Sequence, residues 1–151
     1  MRVFQNTPFP RRGGPPAVDL VNTEVVVRGQ PGDLLTDDET VAAWFEFERE
    51  RLELSVDAGR PSLEEVHRLR AALRRTFTAI VGGDPPPREP LEEINAAAGR
   101  EPVGIALEWE EAPCVRTRGG NGDLPTDGLA AVGRSAVTFL AGPDRARLRK
   151  C

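Results

Sequence analysis

The helix on which the fold depends begins with Ser62-Leu63-Glu64-Glu65-Val66-His67-Arg68-Leu69-Arg70-Ala71-Ala72-Leu73. Ser62 and Glu65 form a Ser-x-x-Glu capping box, in which each side chain satisfies a free backbone N–H of the first turn. Gly82-Gly83 and the prolines Pro85–Pro87 end the helical pattern. Apolar residues recur every three or four positions along one face of this predicted helix: Leu63, Val66, Leu69, Leu73, Phe77 and Ile80.

A second amphipathic helix is predicted before it. Thr36 and Glu39 form another capping box, and the pattern is expected to end near Asp57, before a Gly-Arg-Pro stop. We interpret the acidic residues of this helix, Glu48 included, as members of solvated ion pairs. One face carries the residues at helical spacing: Val41, Trp44, Phe45, Glu48 and Leu52.

Two more helices and three strands complete the pattern. Helical spacing predicts a short helix from Pro90 to Ala98 and a last long helix from Thr126 to Leu140. Alternation predicts a strand over Val103–Trp109, with Cys114–Arg118 returning as its hairpin partner. A further strand is predicted over Val18–Arg28, before a glycine- and proline-rich break. Strands therefore cluster at the start and after the helices. The expected fold class is α+β, with helices packed on a small, mainly antiparallel sheet in a single domain.

Charge is distributed unevenly along the chain. The 151 residues carry a net charge of -4, but the balance up to Asp144 is -8, because the last seven residues add four positive charges. DNA affinity comes largely from neutralised phosphates, so the acidic body is expected to bind DNA poorly. No membrane span or signal peptide is recognisable, and the two distant cysteines suggest a reducing compartment. These features predict a cytoplasmic protein without membrane contact.

Three segments are expected along the chain. Residues 1–16 are rich in proline, glycine and arginine, and predict a flexible arm. Residues 17–142 form the α+β domain. Residues 143–151 predict a basic exit helix, with Asp144 as its cap, that ends on a cysteine. An acidic body with such an exit is typical of a chain that leads into a metal-binding or nucleic-acid-binding module.

Common catalytic arrangements are missing from the sequence. His67 is the only histidine, so any Ser-His-Asp or Cys-His site would have to use it. We interpret it instead as a boundary residue that makes a local hydrogen bond. One histidine and two cysteines cannot complete a zinc site within the chain, and phosphate-binding glycine motifs are absent. The sequence therefore predicts no enzyme and no cofactor.

Four polar residues near predicted apolar faces are candidate ligand contacts: Asn22, Arg70, Asn95 and Arg134. Arg134 is the strongest, because a half-buried guanidinium needs an acceptor, whether a carboxylate, a carbonyl or an acidic ligand. Arg70 lies in an arginine-rich stretch that is otherwise interpreted as solvated. Asn22 lies in Asp19-Leu20-Val21-Asn22-Thr23, where both backbone hydrogen bonds and ligand contact stay open. If these residues converge, Arg70 or Arg134 would favour a small acidic molecule.

Several segments resemble, in order, the ABATE domain of bacterial stress-induced transcription regulators. Asp19-Leu20-Val21-Asn22-Thr23 resembles the Leu-Asp-Phe-Val-Asn-Thr signature near its start. Leu69-Arg70-Ala71-Ala72-Leu73 resembles its Leu-Arg-x-Ala-Leu helix, and Ile94-Asn95-Ala96 is similar to its Leu-Asn-Ala helix. Arg134-Ser135-Ala136 resembles its last long helix, and Pro143–Cys151 resembles the junction with a CGNR zinc finger. The resemblance covers nearly the whole chain from residue 17.

The resemblance implies a regulator of two modules. Its N-terminal α+β domain, ABATE-like residues 17–142, would sense a signal or mediate interactions, and a C-terminal CGNR zinc finger would contact DNA. Cys151 stands where the first zinc ligand belongs, and would bind metal only if a longer chain supplies the other ligands. Zinc is therefore expected only with the full finger, and DNA contact only through that finger, which is absent from these residues.

Three functions are weighed on this basis. A sensing or interaction domain of a transcription regulator comes first, with a small acidic effector. The alternative is a structural module that forms a homodimer without a small-molecule ligand, which a contiguous apolar patch would favour. A small-molecule enzyme is third, because no residue of the sequence can be nominated as an acid or base with a perturbed pKa.

Overall fold

The computed structural model describes residues 9–11, 13–54, 58–100, 103–109, 113–119 and 127–149, with residues 103–119 described by their backbone alone. The first half contains α1 (Pro16–Val21), β1 (Glu24–Val27), β2 (Gln30–Asp33), α2 (Asp38–Leu52) and α3 (Leu63–Val81). The second half contains α4 (Arg88–Ala98), β3 (Val103–Trp109), β4 (Pro113–Gly119), α5 (Gly128–Ala141) and a 3-10 helix (Pro143–Arg147). The fold class is α+β, as predicted.

Helix α5 is the centre of the packing. It contacts α1, α2, α3, α4 and the 3-10 helix. Its first half is buried and built of small residues, from Gly128 to Gly133. Trp44 and Phe45 of α2 pack edge to face, with ring centroids 5.0 Å apart, and the Trp44 side chain is fully buried. Small residues on α5 therefore let the surrounding helices approach one helix closely, and their apolar faces form one core.

The closest approach is at Gly133. A Cβ atom there would lie 2.6 Å from the backbone nitrogen of Ala98 and 3.0 Å from its Cα, both in α4. Backbone atoms cannot rotate away as a flexible side chain can, so a methyl group would force α4 and α5 apart. Glycine at this position is a packing requirement.

We expect Gly133→Ala to lower the free energy of unfolding by about 1–3 kcal/mol, because the overpacking exceeds the gain in helix propensity of about 1 kcal/mol. Urea denaturation measures this difference. Thr138→Ala, at an exposed position of α5, is the control and should change stability by less than about 0.5 kcal/mol. A Gly133→Ala variant as stable as the wild type would contradict the close approach.

The predicted strand over Val18–Arg28 is wrong in its first part. Residues Pro16–Val21 form helix α1, with proline in its first turn, where its fixed φ suits a helix and its missing N–H is not needed. Ala17 and Leu20, three positions apart, are fully buried. The strand begins only at Glu24.

The strand ends at the predicted break after Arg28, but the residues after this break form a second strand that was not predicted. Arg28 and Gly29 adopt positive φ values of 53° and 77°. Two consecutive residues with positive φ are typical of the two-residue turn that joins antiparallel strands. Residues Gln30–Asp33 then return as β2, with Val26 opposite Pro31. By contrast, the hairpin predicted after residue 103 is confirmed, since β3 and β4 pair antiparallel over Val103–Trp109 and Pro113–Gly119.

The predicted helices are confirmed, with corrections at their ends. The capping box of α3 is formed by Ser62 and Glu65. That of α2 is formed by Asp37 and Thr40, one residue later than predicted. The Thr40 N–H donates to the Asp37 carboxylate at 2.8 Å, and the Asp37 N–H donates to the Thr40 hydroxyl at 3.2 Å. Helix α2 ends at Leu52, where Glu53 turns the chain with a φ of 53°. The end expected near Asp57 is therefore wrong, because the left-handed conformation of Glu53 stops the helix about one turn earlier.

The two ends of the described chain lie against the helices. Phe9 packs on Phe47 of α2 with ring centroids 5.6 Å apart, and the Arg11 guanidinium lies 4.1 Å above the Phe47 ring. After α5, Pro143–Arg147 forms a 3-10 helix. The predicted cap at Asp144 is wrong, because Gly142 occupies the cap position and Asp144 lies in the first turn. In this described part of the chain, no helix has both the length and the apolarity needed to cross a bilayer.

Candidate functional site

An open groove lies where α1, the end of α3, α5 and the 3-10 helix meet, and β1 borders it. Its volume is about 1550 Å³. Its apolar wall consists of Val18, Val21, Phe77, Val81, Phe139 and Leu148. Its polar groups include Asn22, Thr78, Arg134, Ser135 and Thr138. An apolar groove with a few convergent polar groups is the arrangement that most ligand sites share.

Arg134 is the most unusual polar group of this groove. It lies half-buried on α5, and its Nε donates a hydrogen bond of 3.2 Å to the Ala98 carbonyl. This carbonyl is one of the acceptors that the sequence analysis left open. The Nη2 atom is buried and makes no hydrogen bond to any residue that the structure describes. A buried guanidinium nitrogen without an acceptor is costly, which sets Arg134 apart from the other polar groups of the groove.

Of the other predicted contacts, only Asn22 reaches the groove. It lies at the C-terminal end of α1 and lines the groove wall. Asn95 is exposed on α4 and is not part of the wall. Arg70 is also outside the groove. The structure thus brings together Asn22 and Arg134, and leaves Arg70 and Asn95 apart from them. Cys151 lies outside the described residues.

Arg70 is a buried structural residue, which corrects its interpretation as solvated. Its side chain is 5% exposed. Its Nη1 and Nη2 donate to the two carboxylate oxygens of Asp33 at 2.7 and 2.5 Å. Nη1 also donates to the Thr23 hydroxyl at 2.9 Å, and Nε lies 3.1 Å from Glu24. Arg70 therefore ties α3 to both strands of the first hairpin, and its donors are already used inside the protein.

Arg70 also affects the pKa of Asp33. Burial alone would raise the pKa of Asp33, but hydrogen bonds from Arg70 and from the Leu35 N–H, together with the guanidinium charge, hold it below its ordinary value. His67 lies beside the pair, with Nε2 2.8 Å from the Leu35 carbonyl and 3.5 Å from Asp33. His67 thus makes a structural hydrogen bond, although its partner is distant in sequence.

Two buried carboxylates form a second cluster next to the groove. The side chains of Asp19, in α1, and Glu48, in α2, are both fully buried. The Arg51 guanidinium donates to Asp19 and, at 3.1 Å, to Glu48. Arg51 also donates to the Gly14 carbonyl and lines the groove. Arg11 lies 3.7 Å from Glu48, so two arginines face two buried acids.

The surroundings of Glu48 change its pKa. Burial, followed by a hydrogen bond shared with Asp19, raises the pKa of Glu48 from 4.5 to about 7, although Arg51 and Arg11 oppose the shift. The Oδ1 atom of Asp19 is buried and has no hydrogen-bond partner among the described residues. At neutral pH Glu48 therefore keeps its proton in part of the molecules.

This cluster corrects the interpretation of Glu48 as a solvated acid, and it supplies the perturbed carboxyl that the sequence analysis did not nominate. Helical spacing had placed Glu48 on the apolar face of α2. That position was the available signal, because a charge on a buried face requires a buried partner. The partner, Asp19, is not identifiable from the sequence, because the residues around it are predicted to form a strand and not helix α1.

The sequence of this chain matches one known protein family. The sequence profile of the family described as "Putative stress-induced transcription regulator", ABATE, matches residues 14–143. The chain belongs to the ABATE family. The match includes every helix of the groove from α1 to α5. No curated protein and no solved structure matches the chain significantly.

The ABATE domain offers few groups to a metal in the part of the chain described. No group of three or more histidine, cysteine or acidic side chains there is placed to hold a metal ion. The acidic cluster of Asp19 and Glu48 is instead neutralised by arginines. The groove is therefore the candidate site of this ABATE domain. Besides its apolar wall, it is lined by five arginines and three acids: Arg51, Arg74, Arg134, Arg147, Arg149, Glu24, Glu53 and Asp144.

Proposed function

We propose that this ABATE domain is the sensing domain of a transcription regulator, and that a small anionic molecule with an apolar part binds in the groove. The observation that carries the proposal is Arg134, a residue of the groove wall whose buried Nη2 has no acceptor among the described residues. An anion would supply the missing acceptor, and the apolar wall would receive the rest of the molecule.

The position of the groove supports a regulatory role. Its wall includes residues of α5 and of the 3-10 helix that follows it. A ligand there would touch both the core helix and the segment through which the chain leaves the domain. A ligand that prefers one arrangement of these two elements shifts their population, which is the energetic basis of signalling.

We propose that DNA is contacted by a different part of the regulator and not by this domain. The charge of -8 up to Asp144 disfavours phosphate binding by the domain itself. We propose that a CGNR-type zinc finger after this domain contacts DNA, with zinc bound only there and Cys151 as its first ligand. Action in the cytoplasm, where bacterial DNA lies, belongs to the same proposal.

Thermal unfolding tests whether the groove binds an anion with an apolar chain. Octanoate serves as a probe with a carboxylate and an aliphatic chain, and inorganic phosphate serves as a probe with charge alone. At ten times its dissociation constant, a bound probe adds about 1.4 kcal/mol of stability and raises Tm by roughly 3–5 °C. We expect this shift with octanoate and a smaller one with phosphate.

Arg134→Gln should abolish the octanoate shift, because the cationic donor is lost. Arg75→Gln is the matched control, since Arg75 also lies on a helix but is exposed and outside the groove. Each variant is compared with and without probe, so that changes in its own stability cancel. Equal shifts in both variants, or none in the wild type, would contradict the proposed site.

A homodimer without a small-molecule ligand is the second candidate function. The observation that favours it is the exposed valine pair of β1, Val26 and Val27. Contiguous exposed apolar residues are one mark of a protein–protein contact surface.

A further inference from the structure

Arg51 connects the buried acids of α1 and α2 with the groove. Its guanidinium donates to Glu48 at 3.1 Å and also to Asp19, and both acidic side chains are fully buried. The Arg51 side chain is 31% exposed and lines the groove. It also donates to the carbonyl of Gly14, another residue of the groove wall. The same arginine therefore contacts a buried carboxyl group and belongs to the ligand site.

The charged groups that face Glu48 come from three parts of the chain. Arg51 belongs to α2 itself, and Asp19 belongs to α1. Arg11, in the segment before α1, lies 3.7 Å from Glu48. Helices α3 and α5 also pack against α2, but within the described part of the chain neither supplies an ion-pair partner to Glu48. Glu48 therefore has two cations and one acid as its charged neighbours there.

This environment makes the charge of Glu48 depend on pH near neutrality. Burial disfavours the ionised carboxylate and a hydrogen bond with Asp19 adds to this effect, while the two arginines oppose it. With a pKa of about 7, Glu48 gains a proton as the pH falls from 8 to 6. The proton removes one negative charge from beside Arg51, so the positive charge of Arg51 is less compensated.

An anion in the groove and the ionised form of Glu48 repel each other. Arg51 lies between water and the buried acids, where charges are screened less than at a fully exposed surface. A bound anion therefore favours the protonated form of Glu48. Protonation in turn favours anion binding by the same factor, because coupling between two binding events is reciprocal. The direction follows from charge alone, since an anion binds more tightly when a neighbouring negative charge is absent.

We propose that the groove takes up its anion together with a proton, and that Glu48 carries this proton. This coupling rests on the proposed ligand site and adds its regulation. The anion enters from solvent, one proton moves from solvent to the carboxylate of Glu48, and no bond of the ligand changes. The domain then responds both to an organic anion and to acidification, because both favour the same protonated, ligand-bound form.

Isothermal titration calorimetry with octanoate counts the protons. Titrations at pH 7 in two buffers with different ionisation enthalpies give the number of protons taken up on binding. We expect the wild type to take up a fraction of one proton per octanoate. Free carboxyl groups have a pKa of about 4, so octanoate stays ionised and the protein must receive the proton. The dissociation constant should fall at least about threefold from pH 8 to pH 6.

Glu48→Gln removes the titrating group and keeps a neutral side chain of similar size. This variant should bind octanoate without proton uptake and with the same dissociation constant at pH 6 and pH 8. Glu50→Gln, at an exposed position of the same helix, is the matched control and should behave as the wild type does. His67→Gln is a second control, because histidine titrates in this pH range. His67 lies outside the groove, so this variant should keep the proton uptake.

The outcomes separate the coupling from the ligand site. Octanoate binding to the wild type without proton uptake would overturn the coupling and leave the ligand site intact. Proton uptake that persists in Glu48→Gln, or that disappears in His67→Gln, would assign the proton to another group. If the wild type does not bind octanoate, the ligand site fails and the coupling fails with it. If Glu48→Gln does not fold by circular dichroism, the wild type and His67→Gln decide.

Discussion

Replacing Arg70 by methionine should lower the free energy of unfolding by about 3 kcal/mol, at the lower end of the range for a broken buried ion pair. The substitution leaves the Asp33 carboxylate and the Thr23 hydroxyl without their donor. Asp33 is 30% exposed, so water compensates part of the loss. Urea denaturation at neutral pH measures the effect.

Two further variants show whether the loss of stability comes from the contact between Arg70 and the hairpin. Arg75→Met, on the same helix but exposed, should change stability by less than about 0.5 kcal/mol. Arg70→Lys should fall between the two, because an ammonium group keeps the charge but cannot bind both oxygens of Asp33 in parallel. Equal stability of the Arg70→Met and Arg75→Met proteins would show that the contact with the hairpin contributes nothing.

Glu48 should make the protein less stable as the pH rises from 5 to 8. Its pKa in the folded protein is about 7, against an ordinary value of 4.5. Between these values the folded protein holds a proton that the unfolded chain has released, so stability falls with rising pH. The contribution is complete below pH 4.5 and is lost as the pH rises through 7. Its full size is on the order of 3 kcal/mol.

Glu48→Gln removes this titration and should flatten the stability profile between pH 5 and 8. Its advantage over the wild type should therefore grow with pH, because glutamine cannot ionise in the buried position. Glu50→Gln, at an exposed position two residues further along α2, is the control and should keep the wild-type slope. A Glu48→Gln protein with that same slope would show that another group titrates.

Much of the helical part of this fold follows from the sequence. The capping box at Ser62 and the apolar stripe after it predict α3 nearly to the residue, because both signals are local. The hairpin after residue 103 is also predicted correctly, since alternation is a local pattern. Local signals fail for Val18–Val21, where β-branched residues suggest a strand but the proline before them and packing against α3 and α5 give a helix.

The candidate site was predicted less completely. Arg134 was the strongest candidate because a charge near an apolar face is visible in a single helix. Arg70 has the same kind of sequence context, but its partners lie 37 and 47 residues away in the chain. No spacing rule reveals that those partners satisfy it. The Asp19–Glu48 pair was missed for the same reason, since each acid becomes informative only when the other is placed beside it.

Gly13–Pro15 and Pro143–Arg149 border the same groove, which has a practical consequence. The segment before α1 and the segment after α5 thus meet at one groove, and termini on the same side of a domain favour insertion and circular permutation. The unit can therefore be spliced as a cassette between two halves of a host protein. A ligand in the groove would then touch both segments that connect the domain to the host. Its binding would be detected as a change in the activity of the host protein.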